Sequence, residues 1–114
     1  STALPGATID ATLDRLGALQ RADGSWDLTS ELVDVLGLPF NVVLEPLAHA
    51  SGDPDEAKRA LATALALAFL VKKASSSASE WKLLAAKATR WLAGVKAVPA
   101  GGRTWAELAV GLSI

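Results

Sequence analysis

By residue type, His49 is the side chain best suited to catalysis or metal binding, and it is the only histidine in the 114-residue chain. One histidine forms neither a nucleophilic triad nor a metal site without partners, and the chain has no cysteine. It could still serve as an axial haem ligand or a general base. Its place in the polar stretch AHASGDPD favours a surface residue, so we predict no catalytic residue and no cofactor.

Three neighbouring acidic residues, Asp53, Asp55 and Glu56, suggest a cation site at first sight. Calcium loops, however, spread their oxygen ligands over a longer segment that ends in a bidentate acid. A helix start explains the acids more simply, with Asp53 as the cap, Pro54 at the first helical position and Glu56 completing a capping box. We therefore predict no bound metal. No glycine-rich phosphate loop is present either.

Basic residues are concentrated in the second half of the chain. Residues 1–57 hold ten acidic and two basic side chains, whereas residues 58–114 hold nine basic and two acidic ones. This asymmetry is typical either of a basic binding face or of two halves that complement each other. The net charge is −1 and no aromatic residue is interleaved on the basic face, so we expect no nucleic-acid binding. The basic set is Lys72, Lys73, Lys82, Lys87, Arg90 and Lys96.

The elements that position these residues are all predicted to be helices, packed as one all-α domain over residues 1–114. The patterns predict a bundle of about five helices, over 8–22, 29–36, 39–44, 54–73 and 78–95, and a short last helix over about 104–111. The helix over 54–73 is apolar almost all round from Ala60 to Val71, which predicts that it is central. This run is shorter than the ~20 residues that span a bilayer, and no signal peptide is visible, so we expect a cytoplasmic protein without membrane contact.

Tryptophans mark a predicted core and a predicted contact surface. Trp81 and Trp91 lie on the apolar stripe of the 78–95 helix and are expected to be buried. Trp105 lies on a thin apolar stripe of the last helix and is the best candidate for binding a protein partner, the alternative being that it only caps the bundle. The predicted partner-binding set is Trp105, Leu108 and Leu112, with Lys82, Lys87 and Arg90 steering an acidic partner.

The segment LQRADGSWDL, residues 19–28, places Gln20 and Trp26 on either side of an Asp23-Gly24 turn. Glycine ends a helix without steric penalty, so the first helix is expected to stop here. The Gln20 amide can then reach the backbone ends of the next helix, with the Trp26 ring over the turn. This predicts a structural motif, formed by Gln20, Asp23, Gly24 and Trp26, that fastens the first helix to the second.

Residues Gln20–Trp26 resemble the repeated Gln…Gly-x-x-Trp motif of the terpene cyclase α-barrel. That resemblance covers about seven residues. It implies a fragment related to those enzymes, but their aspartate-rich catalytic motifs have no counterpart in this chain.

A broader resemblance covers about residues 13–94. The stretches LQRADGSWDLTSELVDVLGL, ATALALAFLVKK and SEWKLLAAKATRWL resemble the C-terminal region of von Willebrand factor A domain proteins of inter-alpha-trypsin-inhibitor-like architecture and of vault poly(ADP-ribose) polymerase. The matching residues are Leu19, Gln20, Asp23, Gly24, Trp26, Leu28, Leu32, Leu36, Gly37, Ala62, Thr63, Leu70, Glu80, Trp81, Leu84, Lys87, Ala88, Trp91 and Leu92. The resemblance implies a non-catalytic C-terminal docking module, with major vault protein as the implied partner.

The chain departs from that pattern in places. Leu61 stands where a tryptophan is common, alanine is frequent, and methionine, cysteine and tyrosine are absent. These departures suggest an engineered version of the module. They also leave open a second interpretation, a helical scaffold that holds a small apolar ligand or a cofactor through His49.

Overall fold

Six α-helices and one 3₁₀-helix make up the regular structure of residues 5–73, 78–99 and 104–113, which are the residues that the computed structural model describes. They are α1 (Pro5–Leu19), α2 (Ser30–Leu36), α3 (Phe40–Leu44), the 3₁₀-helix (Glu45–His49), α4 (Pro54–Lys73), α5 (Ala78–Ala93) and α6 (Trp105–Ser113). The described ranges contain no β-strand, only two isolated β-bridges. The predicted all-α fold is confirmed.

Local capping chemistry explains several helix boundaries. The Thr29 hydroxyl accepts a hydrogen bond from the backbone N–H of Leu32 at the start of α2, and Gly37 ends that helix with φ +73°. Thr104 and Glu107 form a reciprocal capping box at α6, as their spacing predicts. The sequence spacing of Ser77 and Glu80 also predicts a capping box at the start of α5, but their side chains lie outside what the structure describes.

The first helix does not end where the sequence predicts, whereas the third does. Helix α1 ends at Leu19 rather than near Ala22, because Gln20 already pairs with Trp26 across the turn. The third helix ends at Leu44, before Pro46, as predicted, and the backbone then continues as the 3₁₀-helix to His49. Proline fits there because it stands at the start of that helix, where its missing N–H costs nothing.

Helix α4 is the central element, with the bounds that the sequence predicts. Every residue from Ala60 to Ala66 is buried, and α4 contacts α2, the 3₁₀-helix, α5 and α6. The burial does not continue to the end of the helix, because Val71 is 63% exposed. In the part of the chain that is described, no helix is both long enough and apolar enough to cross a membrane.

Candidate functional site

The turn between Gln20 and Trp26 is held by its own backbone and by Asp23. The N–H of Arg21 donates to the carbonyl of Ser25 at 2.7 Å, and the Asp23 carboxylate accepts from both the hydroxyl and the N–H of Ser25, at 2.6 and 3.0 Å. Gly24 has φ +98°, a conformation that favours glycine. The hydrogen bond from the Ser25 hydroxyl is the main reason that the pKa of Asp23 lies below its ordinary value.

This turn packs against α5 and not against the start of α2. The Gln20 amide donates to the carbonyl of Gly24 at 3.0 Å and to the carbonyl of Leu84 at 3.1 Å. A Cβ atom on Gly24 would lie 2.7 Å from the carbonyl carbon and oxygen of Lys87, so only glycine allows this approach. The prediction that Gln20 binds the next helix is therefore wrong, because the fold brings α5 to the turn.

Trp26 joins α1 to the central helix. Its side chain is fully buried, its indole N–H donates to the carbonyl of Leu16 at 2.8 Å, and its backbone N–H donates to the hydroxyl of Thr63 at 3.0 Å. Thr63 is the polar interruption in the apolar run of α4, and its burial is explained by this bond. Trp26 does connect two helices, as predicted. The two helices are α1 and α4, whereas the sequence predicted α1 and α2.

A second joint holds the segment between α5 and α6. One oxygen of the Glu56 carboxylate accepts from the N–H groups of Lys96 and Ala97, at 2.9 and 2.7 Å. The predicted capping box at Glu56 is thus wrong, although Asp53 does accept from the N–H of Asp55 at 3.0 Å. Because Asp53 and Glu56 point to different partners, the acidic triplet forms no cation site.

The same segment is bound from two further sides. Ser51 and Val98 exchange both backbone hydrogen bonds, at 2.9 and 3.1 Å, and Gly52 lies so close to Ala97 that a Cβ would approach its Cα to 2.8 Å. The indole N–H of Trp105 donates to the carbonyl of Ala97 at 2.8 Å. We call residues 95–99 with these contacts the C-terminal clamp. It fixes the first residue of α6 relative to the start of α4.

The clamp corrects the prediction for Trp105. Its side chain is only 6% exposed, so it is not available at a contact surface, and the alternative that it packs at the end of the bundle is what the structure shows. Leu108 and Leu112 are half-buried against the core. Ala106 and Val110 of α6 are instead exposed.

Trp81 and Trp91 are half-buried at the edge of the core, whereas Trp26 is completely buried. The guanidinium carbon of Arg59 lies 6.0 Å from the centroid of the Trp91 ring, at the limit of a cation–π contact. The expectation that Trp81 and Trp91 anchor the core holds only in part, since they pack against it from one side.

His49 is the last residue of the 3₁₀-helix, and its side chain lies outside what the structure describes. Among the described residues, no group of three or more histidine, aspartate or glutamate side chains could hold a metal ion. The polar side chains of Gln20, Asp23, Glu56 and Thr63 are each bonded to backbone groups, and these bonds hold elements together.

The outward face of α5 carries the basic residues that the sequence singles out. Lys82, Lys87 and Arg90 are all exposed, and Leu83 lies among them with 81% of its side chain exposed. Leu83, Lys87 and Arg90 follow the i, i+4, i+7 spacing of one helix face. We call Lys82, Leu83, Lys87 and Arg90 the α5 face. Sequence reasoning missed Leu83 because a leucine on a helix is normally assigned to the core side.

A groove lies between the second half of α4 and α6, with a volume of about 430 Å³. We call it the α4–α6 groove, and its lining residues are Ala64, Leu67, Ala68, Val71, Lys72, Ala106 and Val110. A neighbouring depression of about 370 Å³, between the end of α5, the clamp and the start of α6, shares Ala106 with it. Helical periodicity does not reveal either concavity, because both depend on how far apart neighbouring helices lie.

A charged cleft of about 340 Å³ lies elsewhere, between the 20–28 segment and the start of α4. Its lining includes Arg21, Asp27, Asp55, Lys58 and Arg59. Both oxygens of Asp27 accept from one Arg21 nitrogen at 3.0 Å. The two side chains are about half exposed, so this ion pair contributes little to stability.

Comparison with known proteins finds similarity over about two thirds of the chain. The chain is 33% identical over 78 residues to von Willebrand factor A domain-containing protein 5A of Mus musculus, and 36% identical over 74 residues to the protein of that name from Rattus norvegicus. The aligned segments cover 68% and 65% of this chain but 9% and 8% of those relatives, so the chain spans a small part of much longer proteins. No family model matches the chain, and no solved structure matches it significantly. The predicted similarity to von Willebrand factor A domain proteins is confirmed at these levels of sequence identity.

Proposed function

We propose that the chain is a non-catalytic docking domain of a larger von Willebrand factor A domain protein, and that its α5 face binds an acidic segment of a protein partner. The observation that carries this proposal is Leu83, exposed at 81% among three exposed cations. An aliphatic side chain that leaves water on binding supplies affinity, and the surrounding cations select a partner of opposite charge.

Two further observations support the docking role. The known relatives are much longer than the aligned segment, which is what a domain that serves a larger protein would show. The polar side chains at the two joints are bonded within the fold, so their chemistry is already used for structure. A cytoplasmic location belongs to the same proposal and is supported by the absence of cysteine.

The proposed partner is major vault protein, which comes from the sequence resemblance and from no contact in the structure. The α5 face adds a requirement on the chemistry of its binding segment, which should present carboxylates around an apolar side chain. Because the cations are exposed, they should affect mainly the association rate and its salt dependence, while Leu83 should affect dissociation.

The test is a binding measurement between immobilised purified major vault protein and the 114-residue chain. Leu83→Ala should weaken binding about tenfold, as the loss of a contact of roughly 1.4 kcal/mol would do. The Lys87→Glu/Arg90→Glu variant should slow association, most strongly at low salt. Lys58→Glu, an exposed charge reversal on α4, is the matched control and should bind like wild type.

Two results would count against the proposal. If wild type fails to bind at both low and physiological salt, major vault protein is not the partner. If wild type binds and the α5 variants bind equally well, the α5 face is not the docking surface.

A further inference from the structure

We propose that the α4–α6 groove binds a linear aliphatic carboxylate, with the hydrocarbon chain along the groove and the carboxylate paired with Lys72. The site is separate from the α5 face, so the two proposals stand or fall independently. It rests on the described lining of the groove, its dimensions and the position of Lys72.

The groove is open because small side chains stand where the two helices face each other. Ala64 is buried and forms the floor, Ala68 follows one turn later on α4, and Ala106 lies opposite on α6. Val71 and Val110 form the rims and are 63% and 51% exposed. Larger residues at the alanine positions would fill this space.

The lining selects a ligand with one polar end. Among the described residues that line the groove, Lys72 is the only one with a charge, and it stands at the end of the groove nearest the C-terminus of α4. The other described side chains of the lining are aliphatic and offer no hydrogen bond, so polar groups along the middle of a ligand would lose water without compensation. An ammonium group at one end favours an anion there.

The size of the groove sets the class of chain. Ala64 to Lys72 spans eight residue steps of helix, about 12 Å at the usual rise. The volume of about 430 Å³ lies within the range of small-molecule sites, which is roughly 300–1,000 Å³. A medium-length alkyl chain with a terminal carboxylate matches both dimensions.

The test is a calorimetric titration of the 114-residue chain with dodecanoate below its micelle concentration. We expect saturable binding of one dodecanoate per chain. Decanoate, which is two methylenes shorter, should bind roughly fifteenfold more weakly, because each buried methylene contributes about a fourfold change in Kd. Acetate, which has the head group alone, should not bind.

Matched variants locate the site. Ala68→Leu should fill the groove and weaken dodecanoate binding more than tenfold, whereas Ala86→Leu, on the exposed side of α5, should leave it unchanged. Lys72→Gln should weaken binding about fivefold, the effect of losing one exposed ion pair, and Lys58→Gln should not. If Ala68→Leu does not fold, Ala106→Leu tests the same groove from the exposed side of α6.

Labelled alanine methyl groups provide a readout that does not depend on affinity. Dodecanoate should shift the methyl resonances of Ala64, Ala68 and Ala106 and leave that of Ala86 in place. Absence of saturable binding, shifts confined to other alanines, or full binding by the filled variants would each overturn the proposal. So would a dimer in sedimentation that Val110→Asp dissociates, because a second copy of the chain would then occupy the groove.

Discussion

Glu56 lies in the first turn of α4. Removing its carboxylate should nevertheless release residues 95–99, the segment that precedes α6. One carboxylate oxygen accepts two backbone N–H bonds, from Lys96 and Ala97. Hydrogen bonds to a charged group contribute roughly 1.5–3 kcal/mol each. Without the carboxylate, the N–H of Lys96 can hydrogen-bond to water because that residue is exposed, whereas the N–H of the buried Ala97 is left without a partner. We therefore expect Glu56→Ala to lower the free energy of unfolding by about 2–3 kcal/mol.

Glu56→Gln separates geometry from charge. Both bonds end on the same oxygen, and the amide oxygen of glutamine can accept them without the negative charge. This variant should lose only about 1 kcal/mol, the difference between a charged and a neutral acceptor. Glu45→Ala, which removes an exposed carboxylate from the 3₁₀-helix, is the control for a general loss of acidic charge and should change stability by less than about 0.5 kcal/mol.

Denaturant unfolding gives the energies, and amide exchange measured by NMR gives the location. In Glu56→Ala the amides of Lys96 and Ala97 should lose protection, and the indole N–H resonance of Trp105 should shift because it donates to Ala97. Suppose instead that the first turn of α4 loses protection while Lys96 and Ala97 keep theirs. Glu56 would then be the capping residue that its sequence position predicts, and the conclusion that it holds the clamp would be wrong.

Three further predictions concern the 20–26 turn. Trp26→Ala should lower the free energy of unfolding by about 3–5 kcal/mol. Trp26→Phe should lower it by about 1–3 kcal/mol, because this variant mainly loses the indole hydrogen bond. Both values are read from denaturant midpoints, and equal losses would show that the bond contributes nothing. Gly24→Ala should destabilise by at least about 1–2 kcal/mol, since it adds positive-φ strain to a clash with the backbone of Lys87; an unchanged thermal midpoint would contradict the close approach. Because the pKa of Asp23 is lowered in the folded state, its carboxylate stabilises the fold above the unfolded-state pKa, and this contribution is lost as the pH falls through the folded pKa. In Asp23→Asn the free energy of unfolding should therefore fall less steeply in acid, below about pH 4. An identical slope in variant and wild type would show that Asp23 is not involved.

The fold class and the central helix could be predicted because both depend on local patterns. A helix start at Asp53-Pro54, followed by a long apolar run from Ala60 that ends at two lysines, determines α4 whatever surrounds it. The capping box of Thr104 and Glu107 is equally local. Where a hydrogen-bond partner lies within one helical turn, sequence spacing was sufficient to predict the bond.

Glu56 shows why the rest could not be predicted. Its spacing from Asp53 is that of a capping box, yet the carboxylate binds backbone groups 40 and 41 residues away. The sequence contains no signal that distinguishes the two partners. The tryptophans show the same limit, because periodicity indicates which side of a helix is apolar but not whether another element covers it. Trp105 is covered by the clamp, and Trp81 lies at the edge of the core.

The clamp and the α4–α6 groove are connected through α6, and this connection has a consequence for binding. Trp105, the first residue of α6, is held by Ala97, and the next residue, Ala106, already lines the groove. The position of one groove wall therefore depends on a contact that Glu56 maintains from the start of α4. Loosening the clamp in Glu56→Ala should let α6 shift and weaken dodecanoate binding severalfold, although Glu56 does not line the groove. Glu56→Gln, which keeps both hydrogen bonds, should bind dodecanoate like wild type. If the two variants bind equally well, α6 is positioned by its packing against α4 alone, and the clamp stabilises the chain without shaping the groove.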